Sequence, residues 1–214
     1  MDLLIQTERR VALRIAPVAP LPRASIFIRD GVDDSARSRA EGVAFGGRSP
    51  DIIVTREALA GGVTPTDAFK DLLDPRMGQR LKAGQPNHIF VRVHNRGVID
   101  TVAEVELWAI PIDDENQPDF DRTHWIQIVA FAAVPPSPMS VAIPARTFAV
   151  TNPVDWTPPA SPPSAFLILA LVRTPDGNDP APTLARLTAA TFWNVLTRQA
   201  DGENAAVRAL RVDP

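Results

Sequence analysis

Twenty-two prolines, about eight short apolar or alternating runs, and helical patterns confined to the connections predict an all-β fold, an antiparallel β-sandwich with short helical insertions. Proline fixes φ and removes a backbone donor, so a chain this rich in it favours many short strands over long helices. A parallel α/β sheet would need a helix between most strands, and that rhythm is missing. At 214 residues the chain suits one such domain with elaborated connections.

Residues 1–49 read as a lead-in with two strands, at 11–16 and 24–29, expected to pack on a main domain spanning 50–214. A polar loop at 30–40 follows the second of them. Ser49-Pro50 then opens a strand at 51–55. Residues 57–83 look like an insertion, in which Thr64-Pro65-Thr66-Asp67 supplies an N-cap, a proline at N1 and an acid at N3, predicting a helix over 65–73. Gly84-Gln85-Pro86-Asn87 turns the chain into the clearest strand, 89–94. Asn95-Arg96-Gly97 ends it, and both Asn95 and Gly97 belong to types that tolerate positive φ, which Gly97 is expected to use. Further strands are expected at 102–110, 125–130, 141–143 with 147–150, 166–172 and 206–212, with an acidic turn at Asp113-Asp114-Glu115-Asn116. Leu184, Leu187, Thr191 and Val195 share one helical stripe, predicting a helix over 183–198 within a second insertion at 183–199.

Composition narrows the function. Net charge is −3 and no run gathers five or six basic residues, so the electrostatic footprint of a nucleic-acid binder is missing. Only Lys70 and Lys82 are lysines, which leaves 22 − 2 = 20 arginines; with abundant Ala and Pro, that bias points to a GC-rich bacterial genome. The absence of cysteine excludes disulfides, thiolate nucleophiles and cysteine-ligated metals. The opening Met1-Asp2-Leu3-Leu4-Ile5 has no basic region ahead of an apolar run, and the longest apolar run, 165–172, is too short to span a bilayer. The expected location is the cytoplasm, or outside by a route that reads no Sec signal, with no insertion into a membrane.

Three segments carry a resemblance. Ser49-Pro50-Asp51-Ile52-Ile53-Val54 opens a strand, Gly84 to Gly97 forms a strand ending in an Asn-x-Gly turn, and Val102-Ala103-Glu104-Val105-Glu106-Leu107-Trp108 is the strand after it. Together they resemble the bacterial CARDB-like, cell-adhesion-related immunoglobulin-like domains over residues 50–212. The resemblance implies an immunoglobulin-like sandwich and a binding or structural module. Ile28-Arg29-Asp30-Gly31-Val32-Asp33-Asp34 also looks like a segment preceding the Ser-Pro-Asp-Ile strand in some bacterial proteins of this type.

Catalytic patterns are missing. His88, His94 and His124 show no His-x-x-x-His or Glu-x-x-His spacing, and neither a Gly-x-Ser-x-Gly elbow nor a phosphate-binding loop occurs. His88 and His94 share one strand face, but roughly 20 Å of strand separates them at about 3.3 Å per residue, so they cannot share an ion. Asp30, Asp33 and Asp34 crowd one loop and are the candidate ligands for a hard cation such as calcium. Their spacing does not fit an EF-hand, and a solvated acidic loop is the preferred reading of them. No cofactor is expected. Trp156, among prolines, reads as a loop anchor or a ligand platform.

Period 2 places Ile89, Val91, Val93, Val105 and Leu107 in the core, and Phe90 and Trp108 on outer faces. Aromatics that size need cover, either the helix at 183–198 docked across Trp108 and Phe90, or an interface with another molecule. The expected function is a non-enzymatic protein-interaction or structural and assembly module, with a protein partner or a homo-oligomer. The alternative is a carbohydrate- or calcium-dependent surface-binding domain. A hydrolase is disfavoured by the lack of a paired nucleophile and base.

Overall fold

The computed structural model describes residues 25–29, 49–71, 79–112, 118–130, 139–177, 180–188, 191–192 and 204–214. In chain order these hold β1 (Ile26–Phe27), β2 (Ile52–Thr55), α1 (Pro65–Ala68), β3 (Leu81–Lys82), β4 (Asn87–Asn95), β5 (Thr101–Ile112), β6 (Ile126–Val129), β7 (Ser140–Ile143), β8 (Phe148–Val150), β9 (Val154–Trp156), β10 (Ala165–Arg173) and β11 (Ala205–Asp213). The first sheet is built on β4. β1 and β2 lie end to end along one of its edges, and β8 and β9 lie end to end along the other. Backbone directions fix those sides: Arg92 N–H donates to the Asp51 carbonyl, whereas the Val91 carbonyl accepts from Thr151 N–H. The second sheet runs β3-β11-β10-β5, with β6 and β7 sharing the far edge of β5. All pairs are antiparallel except β11 with β3. Between the described strands the chain crosses from one sheet to the other at β2–β3, β3–β4, β4–β5, β7–β8 and β9–β10. This is an immunoglobulin-like sandwich.

Alternation sets the core. Ile89, Val91 and Val93 of β4 and Ala103, Val105, Leu107 and Ala109 of β5 are fully buried in one cluster with Ile168, Ala170 and Val172 of β10. Ile26 of β1 and Ile28 just after it join the same cluster. The lead-in therefore contributes to the sandwich itself. Trp156 belongs to this core too, edge-on to Phe166 with centroids 5.2 Å apart.

Both outer faces carry cover from the chain's own connections. On the first sheet Ile53, Phe90 and Val150 are roofed by Phe69, with Leu59, Ala68 and Phe148 around them. The Phe69 and Phe90 rings sit 4.9 Å apart. The roof is fastened by α1, whose Thr64 cap accepts from Asp67 N–H at 3.2 Å and whose Thr66 hydroxyl accepts from Val150 N–H at 2.9 Å. On the second sheet Ile110, Leu167, Leu169 and Val207 lie under Trp125, Leu187 and Phe192.

Several expectations change. Of the helix expected over 183–198, Leu184–Arg186 form a 3-10 turn that Leu187 ends at ψ 74°, Phe192 is helical with its N–H on the Thr188 carbonyl at 2.7 Å, and residues 189–190 and 193–198 lie outside the described ones. Leu187 and Phe192 still bury themselves on the second sheet, but Phe90 is covered by the 57–83 insertion instead. The helix expected over 65–73 is one turn, Pro65–Ala68, and residues 72–78 lie outside the described ones. The expected strand at 11–16 and the turn at 113–116 lie outside them as well. β3 and β9 were missed. Gly97 is not among the glycines at positive φ, which among the described residues are Gly62, Gly84 and Gly177. Its N–H donates instead to the Asn95 side-chain oxygen at 2.8 Å, so the asparagine shapes this turn by hydrogen bonding.

Gly84 holds the left-handed position ahead of β4, at φ +62°, with its N–H on the Pro158 carbonyl at 3.1 Å. An added Cβ would meet Ala160 at an ordinary 3.8 Å, so backbone strain is the main penalty. Gly84→Ala is expected to cost about 1 kcal/mol in urea unfolding.

Candidate functional site

Three connections of the sandwich converge at one end. The β4–β5 turn and the β7–β8 turn are laced together there. Asn95 spends its amide on the carbonyls of Ile99, at 2.8 Å, and of Ile143 and Pro144, at 3.4 Å each. Arg146 N–H donates to the Gly97 carbonyl at 3.2 Å, and Ala145 N–H donates to the Asp100 carboxylate at 2.8 Å. Arg96 ties the same turn to the lead-in through the Ser25 hydroxyl at 2.6 Å. The turn after β10 closes the set, with Gly177 N–H on the Thr174 carbonyl at 3.0 Å. On this pinned framework Val98, Ile99 and Val102 stand 48%, 45% and 40% exposed.

A second constellation lies at the seam between β1 and β2. The Asp51 carboxylate is fully buried and accepts from the Arg29 backbone N–H at 2.9 Å, from Arg29 Nε and Nη2 at 3.0 and 2.5 Å, and from His94 Nε2 at 3.0 Å. Arg92 Nη1 stands 3.6 Å away. Burial alone would push the Asp51 pKa up; the hydrogen bonds from His94 and Arg29, with their positive charge, outweigh it and hold the carboxyl below its ordinary value. The His94 ring stacks on Phe27 at 4.9 Å and tilts against Phe148 at 5.7 Å. Arg92 is itself 1% exposed, donates to the Phe69 carbonyl and lies over Phe148, so the cluster also anchors the roof of the first sheet.

The remaining histidines also have aspartate partners. His88 Nδ1 meets Asp155 at 2.6 Å across the β4–β9 pair, and His124 Nδ1 meets Asp119 at 2.7 Å. That Asp119 contact raises the His124 pKa. His88 and His94 keep to one face of β4, as their spacing requires, with separate partners.

Of the residues singled out from sequence, Asp30, Asp33 and Asp34 lie outside the described residues. Among the described residues no group of three or more His, Asp or Glu side chains could hold a metal ion. Phe90 is fully buried beneath Phe69 and offers no surface to a partner, which corrects its reading as an interface residue. Trp108 is half-buried against Trp125, with centroids 6.4 Å apart, so its packing is intramolecular too. Val98, Ile99 and Asp51 were not read as site residues. The turn that bears the first two was legible; that they stay exposed was not, because two adjacent apolar residues in a turn look the same whether covered or bare.

No protein-family model matches the chain, and no curated protein matches it. Among solved structures, it is similar to the CARDB domain of a Pyrococcus furiosus protein in complex with di-metal ions, at 13% identity and TM-score 0.32, covering 62% of this chain and 78% of that one. It is also similar to a Niemann-Pick type C2 protein from the Japanese carpenter ant, at 9% identity and TM-score 0.33, covering 76% and 89%. A PapD-like domain of human CEP192 aligns at 9% identity and TM-score 0.25, covering 82% and 92%. Among the described residues no helix is long and apolar enough to cross a membrane.

Proposed function

We propose that this chain is a non-enzymatic protein-interaction module, a CARDB-like domain that engages its partner through one loop end of the sandwich. The observation that carries this reading is where the exposed apolar side chains fall. Among the described residues four large hydrophobics are exposed: Val98 and Ile99 in the β4–β5 turn, Val102 at the start of β5 just after it, and Val63 elsewhere. Scattered exposed hydrophobics need no explanation, whereas a group of them marks an interaction surface. Much of each outer face has its own cover, which favours ends and edges for docking. Immunoglobulin-type sandwiches that recognise other molecules commonly use the loops at one end. For the non-enzymatic half, each histidine commits a ring nitrogen to an aspartate, and among the described residues none contacts a hydroxyl nucleophile.

The test is the double variant Val98→Asp with Ile99→Asp. Both positions are exposed, so unfolding free energy should stay within about 0.5 kcal/mol per substitution. A protein recovered from the source organism on the native chain, then purified, should bind the variant at least about tenfold more weakly. Equal affinity for both chains would remove the reading.

A further inference from the structure

The loop end also holds an arginine in a backbone conformation that arginine resists. Arg146 has φ +59°, and among the described residues it is the only non-glycine at positive φ. L-residues adopt this region at a cost that glycine avoids, so glycine would close the same turn more easily. The position is pinned from both sides: Arg146 N–H donates to Gly97, Ala145 N–H to Asp100, and the Thr147 hydroxyl to the Pro144 carbonyl at 2.9 Å. The Arg146 side chain is exposed, and among the described residues no carboxylate pairs with it. The Asp100 carboxylate shares this end but is engaged by the Ala145 N–H, and Arg96 is committed to Ser25. Strain retained at an exposed position, next to an apolar group, indicates that the side chain is used outside the chain.

Resting on the interaction reading above, we infer that the partner is a protein segment combining apolar side chains with a carboxylate. The apolar side chains cover Val98, Ile99 and Val102, and the carboxylate takes the Arg146 guanidinium. An arginine fork binds a carboxylate through two parallel N–H bonds, which gives orientation as well as affinity. Arginine thus fixes the register of a contact that the apolar side chains alone would leave loose.

The probe is a random linear peptide library displayed on phage, selected on the native chain and counter-selected on the Val98→Asp, Ile99→Asp variant. Survivors are expected to pair apolar residues with Asp or Glu. Synthetic copies should bind the native chain and lose about tenfold in affinity on Arg146→Gly, roughly one charge-assisted contact. That variant should melt at a higher temperature than the native chain, because glycine relieves the strain; a loss of binding then cannot come from unfolding. Apolar survivors without an acid, or binding indifferent to Arg146→Gly, would overturn the carboxylate while leaving the loop-end reading in place. A lack of any patch-dependent survivors would overturn both. If sedimentation shows a native dimer that the double variant dissociates, the occupant is a second copy and the inference fails.

Discussion

An Asp51→Ala variant is expected to lose about 3–5 kcal/mol of stability, a large share of what a domain of this size has. The carboxylate is fully buried and receives three hydrogen bonds from Arg29 and one from His94, with the Arg92 guanidinium 3.6 Å away. Deleting it leaves cationic groups of low exposure facing one another: the side chains of Arg29 and Arg92 are only 11% and 2% exposed. The penalty is the cost of buried charge without compensation, more than the intrinsic worth of the pairs. The acid limb of the stability profile follows with a definite sign. A carboxyl held below its ordinary value contributes stability that is complete above the unfolded pKa of about 3.9 and is lost as pH falls through the lower folded value. Urea unfolding across the acid range should therefore show a downward slope in the native chain that is shallower in Asp51→Asn. An unchanged slope, or a loss below 1 kcal/mol for Asp51→Ala, would mean that the cluster is solvated in solution.

Val91→Asp is expected to abolish folding altogether. Val91 is fully buried, pairs with Ile52 in the β2–β4 ladder and belongs to the central cluster. Its neighbour Arg92 shows that charge on this strand is tolerated one residue away, because Arg92 points to the opposite face, where Asp51 and the Phe69 carbonyl receive it. An aspartate at 91 would face Ile, Val and Leu side chains, with desolvation costing several kcal/mol and no partner to offset it. Circular dichroism and gel filtration should report an unfolded or aggregated chain. A soluble, cooperatively melting Val91→Asp protein would mean that the register of β4 is wrong by one residue.

Those two residues also mark what could be read in advance. The inward phase of 89, 91 and 93 against 105 and 107 follows from period 2 and the length of the strands, and the structure keeps it. Residues 154–156 and 81–82 form strands only because β4 and β11 pass beside them, and runs this short carry no period to count. Of the stripe read over 184–195, Leu187 packs inward with Leu184 beside it while its backbone leaves helical geometry; Thr191 is exposed and Val195 lies outside the described residues. Buried arginine at 92 contradicts composition logic, since its partner Asp51 meets it only through the pairing of β2 with β4. Phe90 and Trp108 were correctly placed on outer faces, but that placement leaves open what covers them; the answer lies in insertions whose docking depends on the finished sheet.

The split edge of β4 has a mechanical consequence. The chain meets that edge twice, as β1 and again as β2, and each segment forms its own ladder with β4. The two ladders themselves do not require β1 and β2 to be one continuous chain; their covalent connection keeps β1 at high effective concentration beside its docking position. Severing it would turn β1 into a separable peptide held, among the described residues, by two paired residues, the apolar anchors Ile26 and Ile28, the Ser25 contact with Arg96, the Arg29 clasp on Asp51, and the Ser49 hydroxyl on the Arg29 carbonyl. Dilution would then release the peptide and bare the β4 edge at His94 and at Arg96, whose N–H meets the Ser25 carbonyl, as an open strand edge, the kind of template to which a second chain can add.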